Sequence, residues 1–103
     1  MIYYDYGGVN VYKVLVIEDD EKLQELIKDK LERYNYTVFL VEDYADIKGE
    51  FIRENPHLVL LDINLPNYDG FYWCREIRSI SKVPIIFISA RLSDMDQVMA
   101  IEN

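Results

Sequence analysis

The stretch VLLDINLPNYDG, residues 59–70, decides how this chain is read. The apolar run Leu58 to Leu61 meets Asp62, and a polar turn marked by Pro66 and Gly70 follows at once. Such a strand reads as buried, and burying an unpaired carboxylate is costly. An acid in this place must cap the next helix, meet a cation or do chemistry.

Working outward, VYKVLVI (11–17) reads as a strand and EKLQELIKDKLERY (21–34) as a helix whose face carries Leu23, Leu26, Ile27, Leu31 and Tyr34. YTVFLVE (36–42) is a second strand. YADIKGEFIREN (44–55) is a weaker helix interrupted by Gly49 and ended by Asn55-Pro56. After the strand LVLLD (58–62), GFYWCREIRSI (70–80) predicts a helix with Phe71, Cys74 and Ile77 on one side, and Tyr72 and Trp73 partly packed beside them. IIFIS (85–89) is the fourth strand, and LSDMDQVMAIE (92–102) predicts a last helix. Strands alternating with helices imply an α/β fold, an open parallel sheet with helices on both faces. Strands that are apolar throughout agree, since they are covered on both sides.

The bulk composition sets limits. A chain of 103 residues is one domain's worth, and 50% hydrophobic with 29% charged residues reads as globular. A net charge of −8 argues against a nucleic-acid-binding domain and permits cations and basic protein partners. Cys74 is the single cysteine, which excludes an internal disulfide and a cysteine metal cluster. The opening MIYYDYGGVNVYK lacks the basic start and apolar core of a secretory signal, and no apolar run has transmembrane length. The expected compartment is the cytoplasm, without membrane contact. His57, in a loop after Pro56, reads as a surface residue.

In an open parallel sheet, ligands sit beyond the carboxyl ends of the strands. Here the first strand ends in Glu18-Asp19-Asp20, the third in Asp62 and the fourth in Ser89-Ala90. Carboxylates meeting at one mouth repel and raise one another's pKa. A hard divalent cation such as Mg²⁺ removes the conflict. Taken singly, Asp20 reads as a helix N-cap, Asp69 as a turn or cap residue, and Asp62 as a turn acid. Together, at two strand ends facing one edge, the acids read as a cation site.

VLVIEDD, LVLLDINLPNYDG and PIIFISA resemble, in order, the three signature segments of bacterial response-regulator receiver domains. The resemblance runs from about Lys13 to Asn103. YDGFYWCR and SARLSDMDQVMA look closest to regulators of the winged-helix (OmpR/PhoB) class that respond to cell-wall-active antimicrobial peptides. It implies a flavodoxin-like (CheY-like) fold and a phosphoacceptor taking a phosphoryl group from a sensor histidine kinase, in a two-component system that regulates transcription. Residue by residue, it makes Asp62 the phosphoacceptor and Asp19 a direct Mg²⁺ ligand, with Glu18 alongside acting mainly through water. Asn64 would offer its backbone carbonyl to the metal, so that its side chain should matter little. Ser89 would turn its hydroxyl onto the phosphoryl group, and Ala90 would leave room for entry. The chemistry is consistent, since phosphoryl transfer needs alignment and charge neutralisation, and a carboxylate nucleophile gives an acyl phosphate.

The chain departs from the family at both ends. The family's fifth strand, with its Lys-Pro pair, and fifth helix are not found, so the expectation is a receiver domain over 13–103, incomplete at its C-terminus. An exposed sheet edge would then invite self-association, as a homodimer or a swapped form. Residues 1–12 read as a flexible N-terminal extension. Family members of this class carry a winged-helix DNA-binding domain that lies outside this sequence, so no nucleic-acid binding is expected of this chain. The expected role is a signalling switch, with self-catalysed phosphorylation and slow dephosphorylation only. Two rival readings stand beside it. One is a fold-retaining interaction fragment that has lost the chemistry. The other is an aspartate-nucleophile phosphohydrolase of the haloacid-dehalogenase type, which Asn64 disfavours because that class wants an acid two residues after the nucleophile.

Overall fold

The computed structural model describes residues 12–89 and 100–102. Its elements are β1 (Tyr12–Ile17), α1 (Glu21–Glu32), β2 (Tyr36–Leu40), α2 (Ile47–Glu54), β3 (Leu58–Asp62), α3 (Gly70–Arg78), β4 (Ile85–Ile88) and β5 (Ala100–Glu102). The sheet order is β2-β1-β3-β4-β5, and β1 to β4 run parallel. The α/β reading holds, because each parallel step needs a crossover and the helices supply it.

Side chains alternate across the pleat, and both sides are covered. Leu15, Ile17, Val59, Leu61, Ile85 and Phe87 are buried in the cluster that also holds Ile47 and Phe51 of α2 and Trp73, Cys74 and Ile77 of α3. Val14, Val16 and Val38 point the other way, where Ile27 and Leu31 of α1 pack on them. Of the face expected for α1, Leu26 and Tyr34 are instead exposed.

On α3 the packed face is Gly70, Trp73, Cys74 and Ile77, the i, i+3, i+4, i+7 series from the first residue of the helix. Trp73 is buried and Tyr72 half-buried, whereas Phe71 lies one step off the stripe and is exposed, contrary to expectation. Gly49 does not interrupt α2. Its N–H donates to the cap residue Asp46 near the start of that helix, which begins at Ile47 and ends at Asn55 in the left-handed conformation. His57 is exposed, and its Nδ1 accepts the Lys13 N–H at 2.9 Å.

Two expectations are corrected at the ends. Tyr12, read both in the first strand (11–17) and in the N-terminal extension (1–12), opens β1 opposite Tyr36, so the strand reading holds there and the extension's bound does not. Ala100–Glu102, expected as the end of a helix, forms a fifth strand antiparallel to β4, with Phe87 opposite Ala100 and Ile85 opposite Glu102. The free edge of β4 offers unpaired N–H and C=O groups, and pairing with them outweighs local helix propensity. That edge of β4 is therefore not bare. The expectations for residues 1–11, for the start of the last helix (92–99) and for Ala90 lie outside the described residues.

Register places the site. Ile17 lies opposite Leu61, so Glu18 and Asp62 leave the sheet side by side. Asp62 lies opposite Ile88, which brings Ser89 alongside Ile63. The loop after β3 returns so closely that the Gly70 N–H donates to the Ile63 carbonyl at 2.8 Å. A Cβ on Gly70 would fall 2.3 Å from the Asp62 carbonyl oxygen and 2.9 Å from Ile63 Cα, both backbone atoms. Only glycine lets α3 start there. Gly70→Ala is expected to destabilise the fold by about 1–3 kcal/mol, as overpacking against backbone does. A lowered urea midpoint with unchanged slope checks it, and an unchanged midpoint would show that the loop yields freely.

Candidate functional site

The site lies where the strand order reverses, with β2 on one side of β1 and β3 on the other. Glu18, Asp19 and Asp62 each bring a carboxylate oxygen to within 4.8 Å of the others. Glu18 and Asp62 are buried, and Asp19 is exposed. Asp20 stands apart from this group. Its Oδ1 accepts from the Lys22 and Leu23 N–H groups at 2.9 and 3.2 Å, which makes it the N-cap of α1. Asp69 caps α3 likewise, accepting the Tyr72 N–H at 2.9 Å.

The local hydrogen bonds fix each acid. Glu18 Oε2 accepts the Asp20 N–H at 2.9 Å. Its Oε1 is buried and receives no hydrogen bond among the described residues. Asp62 Oδ1 accepts the Asn64 N–H at 3.1 Å. The Asn64 side chain is engaged too: its Nδ2 lies 3.4 Å from Ser89 Oγ, and Ser89 is buried. Glu18, Asp19, Asp62, Asn64 and Ser89 thus converge on one mouth.

Sequence reasoning missed two residues that hold this mouth from behind. The Glu18 carbonyl accepts from the Tyr44 hydroxyl at 2.7 Å and from Gln24 Nε2. A backbone acceptor leaves no mark on residue identity, so no motif pointed to Gln24 or Tyr44.

Burial pushes the Glu18 carboxyl up to about 7, with the charges of Asp62 and Asp19 adding to it and the Asp20 N–H opposing it. Burial likewise raises the Tyr44 phenol, despite the opposing Gln24 hydrogen bond, and keeps it a donor. A buried carboxylate pair with an undonated oxygen needs either a shared proton or a cation. An oxygen-only acidic donor set fits a hard cation such as Mg²⁺.

The response regulator receiver domain model matches residues 14–103, and the chain belongs to that family. Among its relatives are transcriptional regulatory proteins. The uncharacterized transcriptional regulatory protein YvcP of Bacillus subtilis (strain 168) is 57% identical over 93 residues, covering 90% of this chain and 39% of that protein. The N-terminal domain of the nisin resistance regulator NsrR, a lantibiotic response regulator, superposes with a TM-score of 0.73 at 42% identity, over 82% of this chain and 72% of that one. The response regulator TrrA of Thermotoga maritima, solved with Mg²⁺-BeF, gives a TM-score of 0.71 at 31% identity, over 77% and 70% of the two chains. The chain spans about 40% of the length of the curated relatives it matches. Among the described residues no helix is long and apolar enough to cross a membrane.

The Glu18 shift has a consequence for stability. Between its ordinary 4.5 and about 7, the folded protein holds a proton at Glu18 that the unfolded chain has lost. The stabilisation is fully present below 4.5 and is lost as pH rises through about 7. In chelator-treated protein, the urea midpoint of the wild type should fall across this window more steeply than that of Glu18→Gln. Parallel profiles would show that Glu18 titrates normally.

Proposed function

We propose that this receiver domain takes a phosphoryl group from a sensor histidine kinase onto Asp62, with Mg²⁺ held by Glu18, Asp19, Asp62 and the Asn64 backbone carbonyl. The observation that carries the reading is the meeting of three carboxylates at the strand-order switch of a receiver-family chain. A carboxylate oxygen of Asp62 forms the new O–P bond as the P–N bond of the kinase phosphohistidine breaks, and the imidazole keeps the electron pair. The product is an acyl phosphate that water can cleave. Mg²⁺, when bound, would neutralise charge on the transferring oxygens.

The remaining roles belong to the chain's own groups. The Asn64 N–H fixes the Asp62 carboxylate through Oδ1. Ser89 Oγ, which accepts from the Asn64 amide, would give its own hydrogen to a phosphoryl oxygen, and the added charge would pull Ser89 inward. Ala90 would leave space for entry. The domain is a switch that turns over only its own phosphoryl group, and it works in the cytoplasm as part of a transcription regulator. Its net charge of −8 fits binding to a kinase and not to nucleic acid by this segment. With β5 on the edge of β4, self-association as a homodimer or swapped form would have to use the outer edge of β5 or displace it.

Intact mass after incubation with a small phosphodonor and Mg²⁺ tests the reading. Wild type should gain a single phosphate, and Asp62→Asn or metal-free protein should gain none. Folded wild type without an adduct would make the chain an interaction fragment. An adduct on Asp62→Asn would move the acceptor elsewhere.

A further inference from the structure

The Glu18 carbonyl is held by a closed ring of hydrogen bonds. Gln24 Nε2 has two hydrogens: one goes to this carbonyl and the other to the Tyr44 hydroxyl at 3.0 Å. The Tyr44 hydroxyl spends its own hydrogen on the same carbonyl at 2.7 Å. Both lone pairs of the Glu18 oxygen are thereby filled. Gln24 stands on α1, a turn beyond the acids, and its side chain returns to the backbone of Glu18, the first of them.

Tyr44 is itself anchored. It packs against the core cluster below the sheet. The turn that carries it is fixed by Glu50 of α2, a buried carboxylate that accepts the Glu42 and Asp43 N–H groups at 3.1 and 2.7 Å. A further bond from the Ala45 N–H to Asp43 Oδ1 closes that turn at 3.0 Å. The β2–α2 turn is thus braced on α2 and in turn braces the acidic turn after β1.

The acidic turn needs such support. Its carboxylates repel, and relaxing the turn would separate them. Asp20 is committed to the helix cap, so the backbone of Glu18 is what sets where the Glu18 and Asp19 side chains sit. We propose that Gln24 and Tyr44 are positioning residues for the cation site, holding the Glu18 carbonyl so that the Glu18 and Asp19 carboxylates stay gathered against Asp62. The proposal rests on the Mg²⁺ reading above and extends it to two residues outside the acidic cluster. Groups that hold liganding side chains from behind commonly set metal affinity.

Direct Mg²⁺ titration calorimetry on wild type, Tyr44→Phe and Gln24→Met tests it, at a temperature where circular dichroism shows all three folded. Phe keeps the ring and Met keeps the length, so each variant removes hydrogen bonds with little change of volume. The Mg²⁺ dissociation constant should rise by roughly five- to tenfold in each, the weight of the one bond that each variant takes from the Glu18 carbonyl. The double variant should lose less than the product of the two, because both act on one carbonyl. A purely structural role would lower the melting temperature and leave the isotherm unmoved, and that result overturns the proposal. Wild type that binds Mg²⁺ with variants that bind equally overturns this proposal alone. Wild type that binds no Mg²⁺ overturns it together with the metal site.

Discussion

Everything at this site follows from two carboxylates that the sheet forces side by side. Glu18 and Asp62 leave adjacent parallel strands at the same level, and both are buried. Neither strand can slip to separate them, because a one-residue shift would turn every core side chain of that strand to the opposite face. The apolar core therefore sets the electrostatic problem. Burial and like charge hold the Glu18 carboxyl near neutrality, which is the fold's own partial solution in the absence of a cation.

The surroundings preserve that conflict where they could have relieved it. Gly70 seats the start of α3 on the Asp62 and Ile63 backbone, fixing the end of β3 from one side. The Asn64 N–H holds the Asp62 carboxylate itself. Across the mouth, Glu18 Oε2 is tied to the Asp20 N–H, while its other oxygen lacks a donor among the described residues. Structure spent on keeping acids together costs stability, and sites of this kind are where function and stability trade against each other.

Much of this was legible in the sequence for a specific reason. Leu58–Leu61 and Ile85–Ile88 are continuous apolar runs, and only strands covered on both faces need them. Once the sheet is parallel, acids at the ends of its strands must share one edge. Asp20 and Asp69 were readable as caps because an N-cap is a local event. What could not be read was tertiary. Phe71 and Trp73 both fit a helix face, and the stripe starting at Gly70, set by close backbone approach, chose Trp73. Ala100–Glu102 looked helical in isolation and was claimed by the edge of β4. The Asn64 amide beside Ser89 depends on the register of β3 against β4, which no single segment encodes.

A proton and a divalent cation are thus alternative answers to one charge conflict. For the phosphoacceptor role proposed above for Asp62 the choice matters, because a shared proton would lower the nucleophilicity of the carboxylate oxygens. A site built with less burial would ionise more readily but would also admit water to the acyl phosphate proposed to form there. One with a single acid would lose the conflict and with it the electrostatic demand for a hard cation. Keeping Glu18 and Asp62 buried side by side at two strand ends, with Asp19 exposed beside them, reconciles these demands. Under the proposed function it would make the readiness of Asp62 depend on what else occupies the mouth, which is the property a switch requires.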